Sequence, residues 1–332
     1  MSDPSPHPMA FTDLPPGFFA LEDEPEFDPA RHLQLEAPET VYRLGEFGYE
    51  GESLADAPVD FAATSVFRIM SEEGAAHLYR IAKSLEPFTT SNARVERNLR
   101  GGVYRSKYLR DLCLSPEVAE FMSGIAGIEL MPHTIAHQLG HINFNPPEIG
   151  RNVDKWHVDT LRFDYVMFIT DPRSNEGGQF QYFKGTRDEV DALKKAGKPL
   201  PPDRIISPAM PGAGYGIFQQ GSHVVHRAKG LTRPGERITM VNGYIPCDPA
   251  FSDHAAYGQL VGVDPAEVVT IEYGKHAADH ARRYIDRYLL QRDFADDREG
   301  VAEDLEKAAS ILQTAARYIR AGRQEIEHFG ED

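Results

Sequence analysis

Cysteine is almost missing from this chain. Cys113 and Cys247 are its only thiols, and they stand far apart. That excludes a disulfide framework and a thiolate-held structural zinc, and it fits a reducing, cytoplasmic setting. Long apolar runs are missing too. None approaches the roughly 20 residues that span a bilayer, so no membrane partner is expected. Basic residues are in deficit: 35 Lys and Arg stand against 51 Asp and Glu, a net charge of −16. A surface that tracks phosphates needs the opposite balance, so nucleic acid is not an expected partner. The opening MSDPSPHPMAFTDLPPG has neither a basic start nor an apolar segment and does not read as a signal peptide. What remains is a 332-residue chain, 41% hydrophobic and 26% charged, with ordinary globular composition and enough length for a large core.

Three regions differ in texture. Residues 1–60 are rich in Pro, Glu and Asp with scattered aromatics (Phe18, Phe19, Tyr49), and read as an extended arm ordered by those rings packing on the body. Residues 61–274 carry the expected domain. There a short strand over 65–70 leads to a helix whose start is marked by Ser71, Glu72 and Glu73. Ser115 and Pro116 open a second helix. From about 129 to 246 the pattern becomes short β-branched and aromatic runs bounded by Gly, Pro, Asn or Asp, such as HTIAHQLGHINFN, DYVMFITD, GQFQYFKG and RITMVNGYI. Strands with few helices between them predict a sandwich or barrel, not alternating strand–helix units. Residues 275–332 carry the helical period, with Val301, Leu305, Ala308, Leu312, Ala315 and Ile319 on one stripe. They predict a helical hairpin that packs on the sheet or, in a homodimer, on a second subunit.

The chemistry centres on DKWHVDTLRFD. In a strand, residues two apart share a face, so His157 and Asp159 project together and can grip one ion. A third ligand is available in GSHVVHRAKG, from His223 or His226. These lie three apart, so in an extended segment only one reaches the metal. Arg237 favours His226: a turn written GLTRPGE joins their strands and brings the two near one another, with Thr239 two residues on along the same face. His133, His137 and His141 recur at a spacing of four. Their neighbours favour a strand, where the three share a face and His141 and Asn143 line the pocket. His276 and His280, on a helix, read as a solvated face. Trp156 should face away from the metal and serve packing. The arginine-rich run RVERNLRGGVYRSKYLRDL reads as a solvated face or as anion contacts at the mouth of the site.

His157, Asp159, His226, Arg237 and Thr239 together resemble the motif of the iron(II)- and 2-oxoglutarate-dependent dioxygenases, which carry HxD, a distal His, then an Arg often followed by Ser or Thr. GGQFQYFKGT and HINFNPPEIG resemble the glycine-led strand and the strand and Pro turn of that superfamily. The resemblance covers roughly 130–246. It implies a mainly β fold with flanking helices around a jelly-roll, cupin-like double-stranded β-helix. It also implies Fe(II) on His157, Asp159 and His226, leaving three positions open, and 2-oxoglutarate chelated there with its far carboxylate on Arg237 and Thr239. Gln179, His141 and Asn143 are further candidates for the cofactor pocket, and Arg162 for a substrate carboxylate if the chain turns after Asp159. The implied activity is hydroxylation, or a related oxidation, of a small soluble metabolite by molecular oxygen, with succinate and CO2 as co-products. Asp159 favours this over halogenation, because the related halogenases carry a small residue there. Two other readings stay open: a cupin-like oxygenase that does not use 2-oxoglutarate, and a non-catalytic barrel that binds a metal or ligand.

Overall fold

The computed structural model describes residues 7–8, 11, 13–251, 254–294, 297–324 and 328–330. Thirteen strands are present among them: β1 (Val41–Tyr42), β2 (Ala63–Thr64), β3 (Phe67–Arg68), β4 (Asn98–Leu99), β5 (Leu130–Pro132), β6 (His141–Phe144), β7 (Asp154–His157), β8 (Phe163–Phe168), β9 (Phe180–Phe183), β10 (Ile205–Ile206), β11 (Tyr215–Gln219), β12 (His226–Ala228) and β13 (Ile238–Pro246). They form two sheets in which every pairing is antiparallel. The larger runs β1-β2-β11-β8-β13-β6-β4, with β3 on β11 and β5 on β13; the smaller runs β10-β9-β12-β7.

The two sheets share a core. Val166, Phe168, Ile217 and Val241 of the larger sheet pack with Phe180 and Tyr182 of the smaller one. Strands β8 and β13 are buried along their whole length, as expected of strands covered on both faces. Their second face meets helices α2 (Glu72–Leu85), α4 (Lys107–Cys113) and α5 (Pro116–Ala126), which follow the short α1 (Pro29–His32) and α3 (Gly102–Arg105). Ser71 caps α2 by accepting from the Gly74 amide at 3.0 Å, and Ser115 caps α5 in the same way.

The N-terminal arm does pack through its aromatics. Tyr49 is buried, the Phe18 ring meets Tyr104, and the Arg105 guanidinium sits over Phe18, Phe19 and Phe88. Beyond α6 (Arg187–Lys195), the C-terminal helices begin earlier than their periodicity suggests. These are α7 (Tyr257–Val263), α8 (Ala266–Gln291) and α9 (Arg298–Ala321), and α8 runs through position 274 without a break. His276 is a correction: it is buried, 2.6 Å from Thr134 Oγ1 and stacked on His133, because the inner face of α8 lies against the body. His280 is half-buried and donates to the Pro249 carbonyl at 2.7 Å. No described helix is long and apolar enough to cross a membrane.

Candidate metal centre and its pockets

Register brings the ligands together. Antiparallel pairing sets His226, the first residue of β12, opposite His157, the last of β7, and the two rings lie 4.2 Å apart. Each Nδ1 faces a backbone carbonyl, that of Lys155 at 2.7 Å for His157 and that of Val224 at 2.9 Å for His226. A carbonyl only accepts, so both Nδ1 atoms donate and both Nε2 atoms are the ones turned toward the carboxylate. Those Nε2 atoms approach the Asp159 carboxylate at 3.4 and 3.2 Å. All three ligand atoms lie within 4.8 Å of one another. Asp159 stands just past the strand, where its amide donates to the Gly221 carbonyl at 2.9 Å. Gly221 has no alternative, since a Cβ there would come 2.0 Å from Asp164 Oδ2.

The electrostatics fit a cation. Burial works to raise the Asp159 pKa, but the two histidines outweigh it and hold this carboxyl well below its usual range. Burial likewise works to lower His226, but Asp159 outweighs it and raises that ring to about 9, so a metal would displace a proton from its Nε2. Beneath it lies Asp164 on β8, fully buried and accepting from Gln219 Nε2 at 3.0 Å. Burial and the Asp159 charge push its carboxyl well up, so it stays a neutral acid. The sequence carried a signal for it, a lone Asp inside the apolar run FDYVMF, and motif reasoning passed over it.

An inner pocket opens behind the triad between the sheets. Val166, Phe180 and Val241 wall it, and Arg237 and Thr239 stand in it with His141 and Asn143. Strand pairing sets Thr239 opposite Asn143 and Val241 opposite His141. Arg237 is 1% exposed. Its Nε donates to the Gly178 carbonyl at 2.7 Å, its Nη1 to Thr239 Oγ1 at 3.2 Å, and its guanidinium lies over the Phe168 ring. Among the described residues no carboxylate is ion-paired with it, and burial lowers its pKa to about 10. Gly178 permits the approach: its φ is +73°, and a Cβ would stand 3.1 Å from Arg237 Cδ. The Asn143 Oδ1 is buried without a hydrogen bond. His141, lowered to about 3 by burial and then by Arg100, is a neutral ring.

Three expectations are corrected, and of the two histidines left open only His226 stands with His157 and Asp159. Gln179 is exposed and does not enter the pocket; strand parity turns Gly178 and Phe180 inward instead, and the Phe180 ring lies 5.6 Å from His226. His223 stands outside the triad and lines the outer cleft, its Nδ1 2.9 Å from Ser222 Oγ. Arg162 is buried, because the chain turns after Asp159, and it binds the Asp56 carbonyl and carboxylate at 2.5 and 3.2 Å without lining the cleft. His133, His137 and His141 share no strand face, since a 3-10 turn at Ala136–Gln138 intervenes and His137 Nε2 faces Asp264 at 3.2 Å. Trp156 faces away from the triad, buried among Phe183, Val190 and Val225.

On the other side of the triad an outer cleft of about 930 Å³ reaches the surface. His157 and Asp159 form part of its lining, with Tyr49, His223, Tyr257 and Tyr318 around them. Arg94, from the arginine-rich run, stands at the junction of cleft and inner pocket, its Nε 3.0 Å from Asp154 Oδ1. A second His-His-carboxylate group occurs among the described residues, His32, Glu73 and His77. There the Asp28 amide donates to His32 Nδ1 at 3.0 Å, so the neutral ring carries its proton on Nε2.

No family model matches the chain, and no curated protein matches it. Solved structures do. The non-heme alpha-ketoglutarate-dependent epimerase SnoN from nogalamycin biosynthesis is 14% identical, with 56% of this chain and 78% of that chain covered at a TM-score of 0.43. EctD from S. alaskensis, solved with 2-oxoglutarate and 5-hydroxyectoine, is 16% identical, with 68% and 83% covered at 0.43. HygX from Streptomyces hygroscopicus, with nickel and 2-oxoglutarate bound, is 13% identical, with 56% and 83% covered at 0.40.

Proposed function

We propose that the chain is an iron(II)- and 2-oxoglutarate-dependent oxygenase that hydroxylates, or otherwise oxidises, a small metabolite on a double-stranded β-helix. The observation that carries this is the buried Arg237, a cation that among the described residues is ion-paired with no carboxylate, set behind a two-histidine, one-carboxylate cluster. An unpaired buried charge is costly, and a dicarboxylate that also reaches the metal offsets that cost. The donor set fits iron(II), with three protein ligands on one face and the rest of the sphere left open. When bound, iron with 2-oxoglutarate and oxygen supplies the oxidising power, with succinate and CO2 as co-products.

The chain's own residues position and shield. The carbonyls of Lys155 and Val224 fix both ligand tautomers. Arg237 and Thr239 receive the remote carboxylate. Val166, Phe180 and Val241 keep water from that end of the pocket, and Asn143 offers an acceptor while neutral His141 adds hydrogen bonding without charge. The outer cleft, which His157 and Asp159 line and Arg237 does not, would admit the substrate. A cupin-like oxygenase without 2-oxoglutarate, or a barrel that only binds a metal, leaves Arg237 without a purpose.

Anaerobic titration of iron(II) and 2-oxoglutarate into the protein tests the reading. Bidentate chelation gives a weak visible charge-transfer absorption, and admitting air gives succinate. The absence of both the absorption and succinate would overturn the reading.

A further inference from the structure

Strand β7, which ends in His157, is an edge strand of the smaller sheet. Its outer edge is nevertheless paired. The Trp156 amide donates to the Gly330 carbonyl at 2.9 Å, and the Phe329 amide donates to the Trp156 carbonyl at 2.7 Å. The far end of the chain thus adds to the strand that carries a metal ligand. Phe329 packs on the Trp156 and Val190 cluster, and Lys194 of α6 donates to the His328 carbonyl at 3.4 Å. A second anchor lies at α7, where the Gln324 amide donates to the Gly258 carbonyl at 2.8 Å. A Cβ on Gly258 would stand 2.6 Å from Gln324 Cγ, so the approach depends on that glycine.

At both anchors the described residues border the outer cleft. Gln324, His328 and Phe329, with Tyr318 of α9, line the same cleft as His157 and Asp159. We propose that Gln324, His328 and Phe329 form a wall of the substrate site and determine which molecules reach the metal. The wall combines aromatic faces with an amide and an imidazole. It therefore fits a polar metabolite with one apolar or flat side. The proposal rests on the oxygenase reading for the identity of the cleft.

The experiment uses the full chain carrying Phe329→Pro, which removes the amide donated to Trp156, and Phe329→Ala, with manganese(II) as the metal probe. Trp156 is the only tryptophan, so acrylamide quenching reports whether the segment is docked. Both variants are expected to raise the quenching constant and to speed the stripping of bound manganese by EDTA, each by about twofold or more. Equilibrium affinity for manganese should stay within about twofold of the unaltered chain; a merely structural lesion would lower it. Unchanged quenching overturns the proposal, because the segment is then not docked. Raised quenching with unchanged stripping overturns it too, because the segment then docks without enclosing the site. If the unaltered chain binds no manganese, the metal reading itself fails and the proposal falls with it, a result that needs no variant to recognise.

Discussion

Among the described residues two places gather two histidines and a carboxylate, and a hydrogen bond to one ring sets them apart. At His157, Asp159 and His226 each imidazole Nδ1 donates to a carbonyl, which turns Nε2 toward the carboxylate and leaves it as the atom a metal would take. At His32, Glu73 and His77 the backbone amide of Asp28 donates into His32 Nδ1, so Nε2 bears a hydrogen where a metal needs a lone pair. The carboxylates differ as well. Asp159 is enclosed beside Asp164, whereas the Glu73 side chain is 42% exposed and pairs with Arg31. Ligand type and proximity are thus common to both groups. The partners that fix tautomer and charge distinguish a metal site from a cluster.

The largest effect that sharpens this contrast is Asp159→Ala, which should abolish succinate formation, while Glu73→Ala leaves it intact; a coupled succinate assay decides. Next, Arg237→Ala should weaken 2-oxoglutarate binding by about 2–5 kcal/mol, as expected when one partner of a buried charge pair is truncated. Manganese affinity measured without 2-oxoglutarate should not change. Smaller is the effect of the neutral acid under Asp159. Asp164→Ala should lower metal affinity by about 10- to 100-fold, and Asp164→Asn, which keeps a neutral polar group, should retain most of it. If Asn proves as harmful as Ala, Asp164 acts as an anion and its assignment as a neutral acid is wrong.

The smallest effect is on acid stability. Burial lowers the His223 pKa from 6.5 to about 4. The unfolded chain therefore takes up this proton first. The stabilisation is complete above pH 6.5 and is lost as pH falls from 6.5 toward 4. In EDTA, His223→Gln should flatten the fall in urea midpoint between pH 7 and pH 5. It should also leave manganese binding in place, since His223 stands outside the group of His157, Asp159 and His226.

The sequence displayed the triad because strand geometry ties chemistry to short spacings. His157 and Asp159 stand two apart, and one turn separates the strands of His226 and Arg237. Thr239, His141 and Asn143 were legible for the same reason, through alternation along β13 and β6. Gln179 was misplaced because the two glycines before it take left-handed φ values, and parity counted through such a turn is unreliable. Arg94 was legible only as one of an arginine-rich run, and Asp164 and the C-terminal wall were not legible as a site. Their roles arise from contacts between segments far apart in the chain, which no local period encodes. His276 shows the same limit, since a helix pattern does not say which face another element will cover.

The most direct test of the central claim is calorimetric titration of manganese(II) into the unaltered chain, His226→Ala and His77→Ala. The account predicts one ion per chain, lost in His226→Ala and retained in His77→Ala. Two ions per chain, or loss of binding in His77→Ala, would contradict it.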